Sequence, residues 1–402
     1  YGNTKKSFIR LGYGFTRSRN GAANMHAVSC LPAVSGAWKE KGGGALFANS
    51  TIYKLDKTLI EGLDLDDPPR TIDMNRIGAV LTGDEDALFG GGPVSAMLIQ
   101  NTNPLSVAPD TLRVRKGFER DDLFVCVHEQ FMTETAAKAD IVLPATTFLE
   151  HDDIYLGGGH TFMQVAKKVI EPYAGSRSNH QVISALAERL GAGHPGFSMT
   201  AWQIIEATLE ASGYPDADSI YQSGGLDCAL PFDEAHFLDG FPTPSGRFRF
   251  APDWAGLGDD HGVMPELPGH MDVIDKADAD RPFRMVTAPA HDFLNTTFNE
   301  TDTSREKEGR PTVLIHPEDC AELDIADGAM VRLGNRQGSV MVHARHFEGL
   351  QRGVIVVETI WPDASYVEGV GINVLTSSDV VAPAGGAAFH DTAVWVRNGQ
   401  SD

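Results

Sequence analysis

Three short apolar runs crowd into residues 94–153: Val94–Gln100, Leu123–Val127 and Ile141–Leu143. Each is rich in β-branched or large apolar side chains and is closed by polar or turn residues, which is how a strand buried on both faces reads. A segment broken by Pro and Asp separates the first two runs, and a short helical piece, Thr133–Lys138, separates the last two. Strand, crossover and strand in succession predict a parallel α/β sheet.

In such sheets ligands bind beyond the carboxyl ends of the strands. Those ends carry Asn101-Thr102-Asn103-Pro104, then His128-Glu129-Gln130, then Pro144-Ala145-Thr146-Thr147. Thr133 or Thr135 can cap the intervening helix and leave N–H groups facing an anion. Neutral amides, hydroxyls and backbone donors suit a nucleotide or a pterin, and they supply no nucleophile and no metal cluster. Taken singly, Asn101–Pro104 reads as a turn and Thr133–Thr135 as a cap, because Asn, Pro and Thr dominate such places.

Taken together the string is more specific. Phe131, Thr133, Glu134, Thr135, Ala136, Ala139, Asp140, Leu143, Pro144 and Glu150 follow a strand that ends in Asn103-Pro104. They reproduce the run F-x-T-E-T-A-x-x-A-D-x-x-L-P-x-x-x-x-x-E, and the segment resembles an α/β domain of the molybdopterin oxidoreductases, the dimethyl sulfoxide reductase family. The resemblance implies a Rossmann-like α/β parallel-sheet domain over residues 1–212, a connector over 213–280, and a six-stranded double-psi β-barrel over 281–402. It implies molybdopterin guanine dinucleotide carrying molybdenum or tungsten as cofactor. On the strand tips it points to Asn101, Asn103, Pro104, His128, Thr133, Thr135 and Asp140 as cofactor-binding residues.

The rest of the chain extends the resemblance. Ser7–Leu11 reads as a strand, followed by Gly12-Tyr13-Gly14, Arg17 and a helical stretch from about Ala22 to Trp38. A glycine turn, a basic residue and a helix start form a plausible phosphate loop, although a tight turn explains a lone G-x-G equally well. Family members carry a similar G-x-G there, so Gly12, Gly14 and Arg17 join the candidate set. His180–Leu190 and Ala201–Ser212 have amphipathic helical spacing. Glu150, His151, Asp152 and Asp153 crowd one loop. An acid/base pair is conceivable there, but adjacent carboxylates on a loop rarely face each other, and a solvated turn is the preferred reading. Thr243–Phe250 resembles the family strand that enters the last domain.

From Arg281 onward short β runs recur between glycine turns, at residues 283–287, 313–315, 330–333, 339–343, 353–359 and 393–397. Repeated short strands of this kind suggest a small closed barrel. By resemblance, the loop Ala290–Thr297 contacts pterin and phosphates, which nominates His291, Asn295, Thr296 and Thr297. The segment around Gly371–Thr376 nominates Asn373. No metal ligand is assigned: His291 has no second His or Cys at ligand spacing, and Asp292 beside it favours a hydrogen-bonded or exposed ring.

The 402 residues carry a formal net charge of −22. That argues against nucleic acid and anionic membranes as partners, and no apolar run approaches a membrane span. Cys30, Cys126, Cys228 and Cys320 lie far apart without a C-x-x-C, so each reads as a single buried or half-buried thiol. The chain opens at Tyr1 directly into a strand pattern, and the expectation is that its natural beginning is missing. Any iron–sulfur cluster, the residue that ligates the metal and any export signal would then lie in that missing N-terminal half, which becomes the chain's first partner, with an electron-transfer subunit as a further one. The cytoplasm is the expected compartment, with the periplasm left open. A non-catalytic scaffold or electron-relay subunit of the same fold, without cofactor, is the alternative function. Substrate identity is not legible, since one fold serves many chemistries.

Overall fold

The computed structural model describes residues 1–67 and 69–399. Strand β1 (Phe8–Arg10) pairs in parallel with β2 (Gly44–Leu46), and the helix Gly21–Ser35 connects them. That helix ends at Gly36 with φ +73°, a left-handed C-cap that a side chain would resist.

The central sheet is parallel and runs β3 (Ala96–Gln100), β4 (Phe124–Glu129), β5 (Ile141–Pro144) in spatial order. Ile99, Val125 and Val127 are buried on one face against Leu81, Leu105, Val114 and Phe118 from the helices Ile77–Leu81, Pro104–Val107 and Thr111–Phe118. Two of these helices touch at a glycine: a Cβ on Gly117 would lie 2.4 Å from Leu81 Cβ. The other face is bare. Leu98, Cys126 and Ile141 stand side by side in register there, with Phe124 adjacent on β4. Leu98, Phe124 and Ile141 are 38%, 47% and 45% exposed. The expected burial on both faces is therefore met on one face only.

Strands β6 (Asp153–Leu156), β7 (Phe162–Ala166) and β8 (Leu226–Asp227) form a small antiparallel sheet. Met163 and Val165 pack it on Ile205, Leu209 and Ile220 of the helices Ala201–Ala211 and Ala217–Ser223. The helices Asn179–Leu190 and Ala201–Ala211 each begin with a capping box, Ser178 with Gln181 and Thr200 with Gln203, which fixes both N-termini. Thr243–Phe250 contains no strand. Gly246 takes φ +67° and donates its N–H to the Thr243 carbonyl, so the Pro–Ser–Gly sequence makes a turn instead.

The C-terminal region is a closed six-stranded barrel in the order β10 (Thr312–Ile315), β12 (Ser339–His346), β11 (Met330–Gly334), β14 (Thr392–Asn398), β9 (Phe283–Pro289), β13 (Val354–Thr359). β10 with β12 and β9 with β13 are parallel, and the remaining pairs are antiparallel. Inward-facing Met285, Val313, Ile315, Val331, Leu333, Ile355, Val357 and Val394 are fully buried, so the lumen is a packed core. Cys320 packs against it, and burial pushes its thiol up to about 11, which leaves it unreactive.

Candidate functional site

The tips of β3, β4 and β5 are bound together by side chains. Asn103 is buried and uses its whole amide: Oδ1 accepts from Thr135 N at 3.1 Å and Thr135 Oγ1 at 2.7 Å, while Nδ2 donates to Glu134 Oε2 at 2.7 Å. Thr135 Oγ1 also accepts from Leu105 N at 3.1 Å, and Thr133 Oγ1 accepts from Ala136 N at 3.2 Å. Pro104 starts the helix Pro104–Val107, where a missing N–H costs nothing. His128 is buried and both ring nitrogens are engaged, with Gln100 Nε2 at 2.9 Å and the Arg177 carbonyl at 2.9 Å. Asn103, Thr133, Thr135 and His128 thus build the tips, and their hydrogen bonds turn inward to the fold.

Asn101 differs. It sits at φ +59°, a conformation Asn tolerates better than most residues, and its exposed side chain touches Asn179 Nδ2 at 3.3 Å. Asn179 opens the helix Asn179–Leu190, so a helix N-terminus meets the sheet tips at this point. A cleft of about 720 Å³ lies there, lined by Asn101, Gln130, Thr146, Ser178 and Asn179 among others. Glu150, on the neighbouring loop, organises that loop: its carboxylate accepts from Thr147 N and Tyr173 N, each at 2.6 Å, and these bonds hold it below the usual carboxylate range. Among the described residues no three His, Cys, Asp or Glu side chains cluster so as to hold a metal ion.

The barrel is stitched to the same tips. Asn373 is buried, and its Nδ2 donates to the carbonyls of Ser106 at 3.0 Å and Val107 at 3.2 Å. Asp110 N donates to the Thr376 carbonyl at 2.9 Å. Asp363 N donates to Glu134 Oε1 at 2.9 Å, and Arg115 from the helix Thr111–Phe118 pairs with the Asp363 carboxylate and reaches the Gly369 carbonyl at 2.8 Å. Burial pushes the Asp363 carboxyl up to about 6; Glu134 adds to the rise, and the Arg115 guanidinium only partly offsets it.

The loop after β9 approaches this seam at its far end. Burial raises the Glu300 carboxyl, Glu134 and Glu129 raise it further, and Arg305 offsets part of the rise. The front of the loop faces solvent. The His291 side chain is 95% exposed and lies 3.4 Å from Asp292, which also pairs with Lys307 at 3.0 Å. Asn295, at φ +52°, sits in a tight turn closed by the Leu294 and Thr297 backbones, with Thr296 and Thr297 beside it.

Four candidates sit apart from the tips. Asp140 caps the opposite, amino end of the sheet, where its Oδ2 accepts from Val125 N at 2.7 Å; a carboxylate that begins β5 faces away from the carboxyl-end loops. Arg17 lies against the barrel instead, and Gly12 and Gly14 precede it on an exposed stretch. The Arg17 guanidinium stands 5.6 Å from the Phe389 ring, its carbonyl accepts from His390 N, and Arg19 N donates to Asp391 Oδ2 at 2.7 Å. Both glycines are exposed, and a Cβ on either would meet nothing within 4 Å.

Sequence reasoning passes over Glu134, Arg115, Asp363 and Gln100 as site residues. Glu134 stands inside the motif, and its two carboxylate oxygens serve both halves of the seam, so its signal is present there. Arg115 and Asp363 are 248 residues apart and carry no local pattern.

Comparison with known proteins matches both regions. The "Molybdopterin oxidoreductase" family model covers residues 2–189, and the "Molydopterin dinucleotide binding domain" model covers 283–393. The chain is 34% identical over 404 residues to the probable oxidoreductase YoaE of Bacillus subtilis, covering 99% of this chain and 57% of that protein. It is 30% identical over 303 residues to a dimethyl sulfoxide/trimethylamine N-oxide reductase of Rhodobacter capsulatus, covering 66% and 35% respectively. The acetylene hydratase of Pelobacter acetylenicus shares the fold, with TM-score 0.65 and 18% identity over 81% of this chain and 46% of that one. The chain spans about half the length of the curated relatives it matches.

Proposed function

We propose a function from one premise: this chain belongs to the molybdopterin oxidoreductase family and spans both its oxidoreductase region and its dinucleotide-binding domain. In our reading it is the C-terminal part of an enzyme that holds molybdopterin guanine dinucleotide with molybdenum or tungsten. The remainder of that enzyme is its first partner. The reaction class is two-electron redox, with oxygen-atom transfer favoured by the reductases among its relatives.

The single observation that carries this reading is the seam. Asn103 and Glu134 from the sheet meet Asp363 and Asn373 from the barrel, so two sets of polar loops face one place. The local chemistry fits a phosphate-bearing heterocycle. Buried Ser106 Oγ, on the residue whose carbonyl Asn373 binds, has no hydrogen-bond partner, and neither have Ser176 Oγ and Asn299 Oδ1 elsewhere. Asn101, Gln130, Thr146 and the start of the helix Asn179–Leu190 line the cleft with neutral polar groups, beside the carboxylates of Glu129, Asp152 and Asp153. When bound, the group supplies the redox chemistry, and the protein contributes binding, orientation and a tuned electrostatic setting. Asn101 and the helix start would take phosphate oxygens. His291, Asn295, Thr296 and Thr297 would close over the dinucleotide from the barrel side. Asn103, Thr133, Thr135 and His128 act indirectly, by fixing the loops that do so.

Elemental analysis and pterin extraction on the purified full-length protein test the proposal. Stoichiometric molybdenum or tungsten together with a guanine-containing pterin nucleotide is the expected result. A full-length protein that never yields metal or pterin would instead be a scaffold or relay subunit of the same fold.

A further inference from the structure

The loop 150–153 after β5 is more ordered than a solvated turn. Glu150 accepts from the Thr147 and Tyr173 backbones, Asp152 Oδ1 accepts from Lys168 N at 2.8 Å, and Asp153 Oδ1 accepts from Ile154 N at 2.8 Å. Between these carboxylates the loop holds out the His151 ring. Its Nδ1 lies 2.8 Å from Thr146 Oγ1, and its Nε2 lies 3.7 Å from Asp153 Oδ2. The second distance is that of an ion pair with a protonated ring, longer than a hydrogen bond. Thr146 is buried, the His151 side chain is 25% exposed, and that of Asp153 is 52% exposed. Carboxylate, imidazole and hydroxyl thus follow one another from solvent inward. All three residues line the cleft of about 720 Å³ at the strand tips, and His151 also lines an adjoining cleft of about 870 Å³. His128 offers the contrast: both its nitrogens are used inside the fold, on Gln100 and on the Arg177 carbonyl, as suits a ring that only braces loops. His151 joins a buried hydroxyl to an exposed carboxylate instead.

We propose that Asp153, His151 and Thr146 form a proton relay from solvent to the cleft at the strand tips, with His151 as the shuttle. The proposal rests on the reading of the chain as part of a two-electron oxidoreductase. Imidazole is the side chain suited to exchanging protons near neutral pH, and a hydroxyl can pass a proton on because it both donates and accepts. Nε2 takes a proton from water beside Asp153, whose carboxylate favours the charged ring. Nδ1 gives its proton to Thr146 Oγ1, and the Thr146 hydroxyl releases its own proton into the cleft. One proton enters for each that leaves, and exchange with water restores the starting tautomer. Such delivery has a use in the proposed reaction class. Reduction that removes an oxygen atom as water takes two electrons and two protons, and an electron-donor protein supplies only the electrons. Glu150 on the same loop also feels the His151 charge. Glu129, Asp152, Lys168, His180, Glu188 and His194 line the two clefts as well, so a pH profile belongs to the relay only where it changes with His151 itself.

Proton uptake during reduction tests the relay in the full-length protein. Reduced methyl viologen, which carries electrons without protons, is mixed with the protein in weak buffer, and a pH indicator follows the protons. His151→Gln should slow uptake at least about tenfold, with added imidazole restoring most of the rate. Thr146→Val should slow it similarly, whereas Thr146→Ser should not. Unchanged uptake in His151→Gln overturns the proposal. So does slowed uptake that imidazole fails to restore, which would make the ring a brace for its loop. A second readout is independent of the reaction. Exchange of the His151 ring C2 hydrogen, followed by peptide mass spectrometry across pH, reports the protonation of this ring alone. Asp153→Asn should move its midpoint down by up to about one pH unit, because a nearby carboxylate favours the charged ring; an unmoved midpoint breaks the outer step of the relay. Metal and pterin content is measured on the same samples. Wild-type protein without either sinks the proposed function, and the relay with it. Metal and pterin present with uptake indifferent to His151 sinks the relay alone.

Discussion

The barrel and the central sheet are built from the same kinds of side chain and reach opposite ends. In the barrel each strand has two hydrogen-bonded neighbours, and Val331, Leu333, Ile355 and Val357 all point into one sealed lumen. In the sheet two of three strands are edges, and alternate residues of every strand face outward from the core. Closure removes edges and buries side chains without outside help, whereas an open sheet needs a layer on each face. The barrel therefore carries its own stability, and the sheet takes its stability from one side only. What joins them is polar: Glu134 and Asn373 fasten sheet tips to barrel loops, so the seam is specified by geometry more than by apolar area.

The largest expected effect tests that contrast directly. Ile355→Ala opens a cavity at a fully buried barrel position and should cost about 3–4 kcal/mol, while Leu98→Ala on the bare sheet face should cost less than about 1 kcal/mol. Urea unfolding of the two variants of this chain measures both. Similar costs would mean that the sheet face is covered within the chain, and the comparison would collapse.

Next in size is the seam. Asn373→Ala strips the donor from one buried and one part-buried carbonyl and should cost about 2 kcal/mol. The loss should show as weaker cofactor retention in the full-length protein, because the barrel loop is no longer held against Ser106. Unchanged retention alongside lowered stability would place Asn373 in the fold alone.

Protonation probes the same seam with a smaller effect. The Asp363 carboxyl has a folded value of about 6, above its ordinary 3.8. The folded state therefore holds the proton more tightly than the unfolded chain. The associated stability is fully present below pH 3.8 and is lost as pH rises through 6. A rise of this size is equivalent to about 3 kcal/mol at most, and between about pH 5 and pH 7.5 roughly half of that should disappear. Asp363→Asn should flatten this slope in urea titrations at the two pH values. A slope that survives the substitution belongs to another group, Glu300 being the first to examine, since its carboxyl is also raised by burial.

How much of this arrangement is legible beforehand follows from the range over which each feature is encoded. The strands are legible because alternation and length are local: residues 283–287, 330–333 and 393–397 read as strands and lie within the observed β9, β11 and β14. The motif at Thr133–Thr135 is local too, yet its use is not. Its hydroxyls and Asn103 turn inward to each other, which no spacing reveals, because the strand crossover that brings residues 103 and 135 together is a tertiary event. Asp140 misleads for a related reason: a motif fixes its place before a strand, and only the parallel direction of β5 puts that place at the amino end of the sheet. The bare face is the most instructive case. The sequence of the strands is correct for a sheet with two covers, and the structure shows how many covers this chain brings.

The smallest stability effect belongs to His291, and it separates binding from folding most cleanly. Its ring is 95% exposed, and the carboxylate beside it, Asp292 at 3.4 Å, keeps its own partner in Lys307 at 3.0 Å. His291→Ala should therefore shift unfolding by no more than about 0.5 kcal/mol. If the loop 290–297 closes over the nucleotide end of a dinucleotide, loss of the imidazole removes a hydrogen-bonding and stacking group from that closure. Guanosine diphosphate binding to this chain, followed by calorimetry, should then weaken about tenfold, equivalent to about 1.4 kcal/mol. Asn103→Ala supplies the contrast. It empties a buried network, so it should lower stability and binding together. If His291→Ala leaves nucleotide affinity untouched while Asn103→Ala abolishes it, the barrel loop takes no part in recognition and the sheet tips alone make the site.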